Sequence, residues 1–465
     1  MSAKKSTKIT FIILFICLLS SVVVANYCIP RKDGEFAFGG CIPSGWPITY
    51  EMSKSTVMMY CNYSGYTDPN AAEQYGLIDI DWSNGMALWA SEQPMDVNKH
   101  LIKQATMQKQ KNPNSKVWIY RNLVKAESCF RDIQDKLNNP AYDGYFLRYA
   151  NGSKIVMPKC YNGAAAFHLP ASDTHCDCGG VQCGSYLFDH RNESLRNWLS
   201  TEHIDGMNGV GNPNVDGLYL DDGWSALPTP SPKYIPPFPF NGYWSGRGVF
   251  GASEYLKFPI PHTNFTVEDI AEITKGWEKT MALAHKTITA NNAFNWQMLA
   301  GTSIATGQAN QLNCLEYFRS SCRAPYVSQK RPLLYYATIN TSHHDPNREN
   351  MLSIKQDIAS FLLVRGDYAW YGTGWLGCGF AYKNGTCCSG DGTKCKNMPE
   401  SGAECNAATN GFYERLPEMD MDYGIPIGNC HETIPDSSGI FTREWSNVNV
   451  SIDCRKWEAD FAWKK

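Results

Sequence analysis

The stretch Val215-Asp-Gly-Leu-Tyr-Leu-Asp-Asp-Gly-Trp224 decides how this chain is read. Its apolar centre, Leu218-Tyr-Leu220, is bounded by Gly and Asp on both sides, the pattern of a short buried strand. Side chains alternate across a strand, so Leu218, Leu220 and Asp222 share one face and Gly217, Tyr219 and Asp221 the other. The Leu face packs on helices. Asp221 is then turned inward at the C-terminal end of the strand, and Asp222 stands at the strand–loop junction.

Seven more strand-like runs surround it. Four precede it: Val57–Tyr60, Gly76–Trp82, Lys116–Asn122 and Tyr186–His190. Three follow: Thr287–Ala290, Leu333–Ile339 and Tyr368–Tyr371. Helical patterns separate most of them. Asp96 caps one helix and Asn192 another. Thr266 with Asp269 forms a capping box before Ile270, Ile273, Trp277, Met281 and Ala284, and Ser353 with Gln356 opens a fourth. Strand–helix alternation repeated eight times predicts an α/β chain folded as a (β/α)8 TIM barrel.

The expected organisation is a signal peptide over 1–25 and one domain over 26–465. The barrel covers about 55–375, and a cysteine-rich extension with a C-terminal β-hairpin covers 376–465. The mature length of about 440 residues exceeds the usual barrel of about 250, so long loops are required. Phe146–Cys183, Leu227–Pro261 and Cys378–Cys430 supply them, two of the three rich in cysteine. The hairpin is read from Ile440–Trp445 and Val448–Ile452.

Acids cluster at the ends of these strands. In the second strand Ile78, Ile80 and Trp82 point outward, and Asp79 and Asp81 inward. Asp189 ends the fourth strand, and Asp221 and Asp222 the fifth. Carboxylates converging at the C-terminal rim of a barrel suit glycoside hydrolysis, which needs one acid to protonate the leaving oxygen and another as nucleophile or base. Asp221 is read as nucleophile or base, and Asp189, Asp222 or Asp81 as general acid, with Glu316 and Glu444 as reserve partners. Trp82, Trp224 and Trp375 offer apolar faces to a sugar, and Arg121, Asn122 and His190 orient it. Any one Asp at a strand end also serves as a helix cap, or binds calcium in a secreted protein. No Gly-x-Ser-x-Gly elbow and no glycine-rich phosphate loop is present, which argues against a serine hydrolase and a nucleotide enzyme.

The run from Val215 to Trp224 resembles the strand signature of glycoside hydrolases with TIM barrels, the polygalactosaminidase-like and hypothetical glycosyl hydrolase groups. Ile80-Asp-Trp-Ser-Asn84, Tyr120-Arg-Asn-Leu123, Leu187–Asn192, Phe294-Asn-Trp-Gln297 and Phe441–Trp445 are similar to further pieces of that pattern. The resemblance spans about Val57 to Cys454 and implies a barrel with glycosidase-like chemistry. By position it carries the family's strand-closing acid onto Asp221, followed by Asp222. It assigns no second catalytic acid.

The N-terminus reads as a secretory signal: Lys4, Lys5 and Lys8, an apolar run from Ile9 to Val24, and small residues up to Ala25. Secretion makes disulfides the natural fate of the 18 cysteines. Cys17 leaves with the signal, and the odd remainder leaves at least one thiol free or intermolecular. His175 with Cys176, Cys178 and Cys183, or the group from Cys387 to Cys405, lacks the paired spacing of zinc modules, so no metal or cofactor is expected. Seven Asn-x-Ser/Thr sequons begin at Asn62, Asn151, Asn192, Asn264, Asn340, Asn384 and Asn449. Forty-two Lys and Arg against 45 Asp and Glu exclude a general nucleic-acid binder, and no membrane association is expected after signal cleavage. The partner expected is a carbohydrate. A carbohydrate-binding protein without turnover, or an extracellular coat protein on a decayed barrel, remains the alternative.

Overall fold

The computed structural model describes residues 49–59, 65–158, 178–222, 265–297, 306–307, 309, 313–322, 332–336, 354–372 and 417–465. The expected signal peptide, the 227–261 insertion, half of the 146–183 loop and most of the 378–430 loop lie outside them. The strands in chain order are β1 (Val57–Met58), β2 (Leu77–Ile80), β3 (Lys116–Asn122), β4 (Lys125–Glu127) and β5 (Val156–Pro158). There follow β6 (Gly184–Leu187), β7 (Gly217–Asp221), β8 (Phe294–Gln297), β9 (Thr306–Gly307) and β10 (Pro332–Tyr336). The last are β11 (Tyr368–Gly372), β12 (Pro426–Glu432), β13 (Ile440–Trp445), β14 (Val448–Asp453) and β15 (Glu458–Trp463).

Eight of these are parallel. One sheet runs β1-β2-β3-β7-β8 and a second β11-β10-β9. A parallel bridge from Thr56 to Tyr371 joins their edges. β1, β2, β3 and β7 are buried on both faces, as parallel strands covered by helices must be. The two sheets also share an interior. Trp118 on β3 stacks on Phe294 of β8 with centroids 5.8 Å apart, and Trp370 of β11 meets them edge-on at 5.8 and 5.5 Å. Trp118, Gly217 and Phe294 form one row across three strands. The rings close over the middle strand because Gly217 has no side chain. A Cβ there would lie 2.4 Å from Trp118 Nε1 and 2.2 Å from the Phe294 carbonyl oxygen.

Two of the eight expected strands are corrected, and two parallel strands were missed. Tyr186–His190 is not a parallel strand: β6 pairs antiparallel with β4 and β5 in a small side sheet between β3 and β7. Burial does not set it apart, since Gly184, Ser185 and Tyr186 are buried and Leu187 partly so; its direction is set by its partners β4 and β5. Thr287–Ala290 is the last turn of a helix. The chain's main helices are α1 (Val97–Lys111), α2 (Glu193–Trp198), α3 (Val267–Ala290), α4 (Cys314–Ser321) and α5 (Ile354–Val364). In α3 the buried series Ile273, Trp277, Met281, Ala284 and Ile288 keeps the helical period through the β-branched end. The missed parallel strands are β8 and the two-residue β9; the antiparallel β4, β5, β12 and β15 were not expected either. Three of the four expected caps hold: Asp96 accepts from Lys99 N, Asn192 from Leu195 N, and the Thr266–Asp269 capping box is complete; Ser353 lies outside the described residues.

The expected C-terminal hairpin is β13–β14, inside a four-stranded antiparallel sheet β12-β13-β14-β15. Its inner face, Phe441, Trp445, Val448, Val450 and Ile452, packs with Phe361 and Leu362 of α5 in a second core. Disulfides Cys314–Cys454 and Cys322–Cys430 tie α4 to this sheet, and Cys178–Cys183 closes a short loop near β6. Cys129, between β4 and the following helix, is buried.

Two contacts fasten the segment before β1 to the end of α5. The Tyr50 hydroxyl donates to Asp367, and Arg365 donates to the Thr49 carbonyl at 2.9 Å. No helix among the described residues is long and apolar enough to cross a membrane.

Candidate active site

The C-terminal ends of β2, β3 and β7 bring together a buried polar cluster. In register, Asn122 lies beside Asp221 and Tyr120 beside Tyr219, so these residues share the inward face with Trp118 and Gly217. The Tyr120 hydroxyl donates to Asp221 Oδ2 at 2.8 Å, and the Asp222 backbone N–H donates to Asp221 Oδ1 at 2.8 Å. Asp222 itself has a left-handed φ of 56°, uncommon for a residue with a side chain. Its carboxylate therefore does not continue the outward face of β7, as strict alternation implies. It lies over the end of β3, where Asn122 Nδ2 donates to it at 2.7 Å and Lys125 Nζ stands 2.8 Å away. Asn122 is the hinge of the cluster. Its Nδ2 also reaches the Tyr120 hydroxyl at 3.1 Å, and its Oδ1 accepts from the backbone N–H groups of Val124 and Lys125.

The two neighbouring acids stand in different surroundings. Burial first, then the charge of Asp222, pushes the Asp221 carboxyl up to about 7, against the opposing pull of Lys125 and the Tyr120 hydrogen bond. Asp222 is matched by a buried ammonium; both side chains are 5% exposed. Burial also raises the Tyr120 hydroxyl well above its ordinary range, so it remains a donor.

Asp79 and Asp81 sit one strand away on β2 and just past its end, both buried. Burial, then Asp81, holds the Asp79 carboxyl well above the usual range. Burial pushes Asp81 up to about 6, against hydrogen bonds from Ser83. Asp81 Oδ1 accepts from the Ser83 N–H at 2.9 Å and from its hydroxyl. Asp79 Oδ1 and Asp81 Oδ2 have no hydrogen-bond partner among the described residues, an uncommon state for buried acids. Trp82 is partly exposed, with its ring 6.3 Å from Tyr120 and 6.1 Å from Trp89.

The other expected site residues are placed differently. Asp189 is held by Arg191 through two bonds of 2.8 and 2.7 Å, and Arg191 also reaches Asp269. Arg121 is on the opposite face of β3 from Tyr120 and Asn122. It is fully buried and donates to the carbonyls of His203, Tyr120 and Asn208, so its fork is occupied by backbone. His190 is fully buried against Trp277 and bonded to Thr280. Burial pushes its ring down to about 3, which leaves it neutral. The structure thus does not bring Arg121 or His190 into the cluster. Glu316 is exposed on α4, and Glu444 is exposed on β13 and paired with Lys464. Trp224 and Trp375 lie outside the described residues. Tyr120 and Lys125 were not singled out from the sequence. The available signal was a lysine inside the otherwise apolar stretch Leu123-Val-Lys-Ala126, buried with no exit to solvent.

No protein-family model matches the chain, and no curated protein matches it. Among solved structures it is similar to the GH31 alpha-xylosidase of Xanthomonas citri, with a TM-score of 0.37 and 9% identity over 72% of this chain and 33% of that one. The chain thus spans a third of the length of that protein. It is similar to the sucrose 6F-phosphate phosphorylase of Thermoanaerobacter thermosaccharolyticum with a TM-score of 0.38 and 10% identity, over 89% and 96%. For the ligand-free cyclic alpha-maltosyl-(1→6)-maltose hydrolase of Arthrobacter globiformis the values are 0.35 and 10%, over 86% and 90%. Superpositions this loose transfer neither fold nor chemistry to this chain.

Proposed function

We propose that the chain is a secreted glycoside hydrolase-like protein whose eight parallel strands are those of one (β/α)8 barrel. The observation that carries the reading is the pair Asp221 and Asp222 at the end of β7. One is a carboxyl whose proton is retained to about pH 7; the other is a carboxylate matched by Lys125. A carboxyl that keeps its proton beside a second acid paired with a lysine is what acid-assisted cleavage of a glycosidic bond requires. The roles read from sequence are accordingly exchanged: Asp221 donates the proton, and Asp222 is the ionised nucleophile or base. Asp81, with a free oxygen, is the reserve for the second role. Trp82 beside Tyr120 offers a flat apolar surface to a sugar ring. The barrel reading is supported by the order of the strands and by Trp370 reaching Trp118 and Phe294. Secretion is supported by the three disulfides among the described residues.

The test is release of reducing ends from a panel of poly- and oligosaccharides by the whole protein, Asp221→Asn and Asp222→Asn. Wild-type turnover lost in both variants, with folding intact, is the expected result. Undiminished turnover in Asp221→Asn overturns the assignment. A sugar-binding protein without turnover is the second reading, favoured because Asp222 Oδ2 is already engaged by Lys125 and Asn122. It expects saturable binding and no product from any of the three proteins.

A further inference from the structure

Three sequons fall within the described residues, and their asparagines are in three different physical states. Asn151 is exposed at the tip of a turn, in which Tyr149 and Ser153 pair through their backbones and Gly152 takes a φ of 84°. Its Oδ1 accepts from the Ser153 N–H at 3.0 Å and the Ser153 hydroxyl at 2.7 Å. The serine of the sequon therefore holds the amide oxygen and leaves Nδ2 to solvent. Asn449 is exposed in the middle of β14, between Glu444 of β13 and Ala462 of β15. Its face is opposite the one that carries Val448, Val450 and Ile452 into the core. Ile427, 47% exposed, lies in the same cross-sheet row through Glu444.

Asn192 is committed on both of its polar atoms. Oδ1 accepts from Leu195 N at 3.2 Å as the cap of α2, and Nδ2 donates to the Gly144 carbonyl at 2.9 Å. The contact is close: a Cβ on Gly144 would lie 3.0 Å from Nδ2. The serine of that sequon, Ser194, has its hydroxyl 3.0 Å from the Tyr145 hydroxyl. A sugar on Asn192 Nδ2 would have to occupy the space of the 140–145 turn.

We propose that Asn151 and Asn449 carry N-linked glycans and that Asn192 does not. The donor is an oligosaccharide on a polyprenyl pyrophosphate, and the transferase is the host's. The bond from sugar C1 to the pyrophosphate oxygen breaks, a bond from C1 to Nδ2 forms, and the amide proton leaves with the pyrophosphate. Transfer happens in the oxidising compartment where disulfides such as Cys314–Cys454 form. It precedes folding, so Asn192 is discriminated afterwards: a chain modified there cannot seat its cap against Gly144 and is lost from the folded fraction. The glycan on Asn449 covers the outer face of the C-terminal sheet, where Ile427 is exposed. The inference is independent of the catalytic reading.

The whole chain is secreted from eukaryotic cells, and the folded fraction is treated with peptide N-glycosidase in heavy-oxygen water. Peptide mass spectrometry then finds heavy aspartate at 151 and 449 and unmodified asparagine at 192. Ser153→Ala and Ser451→Ala each remove one glycan from the intact mass. Unmodified Asn151 or Asn449 in the wild-type protein overturns the proposal, as does an occupied Asn192 in the folded fraction. The wild-type measurement needs no variant to fold.

Discussion

At Tyr120 a single hydroxyl works against the upward shift that burial and Asp222 impose on Asp221. A hydrogen bond to the charged form of a carboxyl favours that form, so Tyr120→Phe raises the Asp221 pKa further. With Asp221 as the proton donor, activity falls as pH rises through about 7 in the wild type, and the fall moves to higher pH in Tyr120→Phe. A kcat/KM profile on any active substrate checks this; an unmoved or downward-shifted limb would refute the role of Tyr120. Lys125 does different work. With both partners 5% exposed, Lys125→Met leaves the Asp222 charge buried and unmatched, which costs about 3–5 kcal/mol. Urea unfolding at pH 7 reads that loss, and Asp222→Asn in the same background recovers part of it.

The three raised carboxyls also give the protein a pH-dependent stability of a definite sign. A group whose folded pKa is raised contributes stability that is complete below its unfolded value, near 3.9, and is lost as pH rises through the folded value. Asp81 at about 6 and Asp221 at about 7 therefore destabilise the fold as pH climbs from about 4 to above 7. Asp81→Asn, which cannot ionise, is expected to raise the unfolding midpoint relative to wild type at pH 8 and not at pH 4. Equal effects at both pH values would count against the burial account. Asp132 runs the other way. Its charge is held to about 2, mainly by His203 against the cost of burial, so its contribution is lost only as pH falls from about 4 through 2.

Among the elements, β7 depends on what Gly217 lacks. Gly217→Ala drives a Cβ into Trp118 and the Phe294 backbone, so over-packing of about 1–3 kcal/mol or more is expected in thermal or denaturant unfolding. An unchanged midpoint would mean that the rings do not meet over β7. The elements also show what the sequence could tell. Alternation in β7 and β2 correctly turned Asp221, Asp79 and Asp81 inward, because that rule needs no neighbours. It failed at Asp222, where a left-handed residue ends the alternation. Likewise β6 reads as a strand, and is one, but pairing direction is a property of its partners β4 and β5. Arg121 and His190 looked like ligands because both are polar beside a strand end. Only the packing reveals a guanidinium bound to three backbone carbonyls and a ring held neutral against Trp277. The Lys125–Asp222 pair bridges two elements distant in sequence, and no local pattern announces it.

For the whole molecule, the cysteines divide by the length of chain they enclose. Cys314–Cys454 spans 140 positions and Cys322–Cys430 spans 108, whereas Cys178–Cys183 spans 5. On chain entropy the long bridges each contribute on the order of 4–5 kcal/mol and the short one about 2. Pairwise serine replacement with denaturant unfolding is expected to rank them in that order; a larger loss from the Cys178–Cys183 pair would upset it. The two long bridges both hold α4 to the C-terminal sheet, so losing them is expected to free that sheet before the parallel strands unfold.

The fastening of β1 to β11 reaches beyond the finished fold. Tyr50 meets Asp367, 317 positions later, and the Thr56–Tyr371 bridge joins the same two regions. A ribosome adding about 5–20 residues per second delivers the second partner roughly 15–60 s after the first. Throughout that interval the outer edge of β1, with Val57 and Met58, has nothing to pair with, and an unpaired apolar edge invites association with other chains. The yield of this protein is therefore governed by what shelters a waiting nascent edge as much as by the stability of the completed fold.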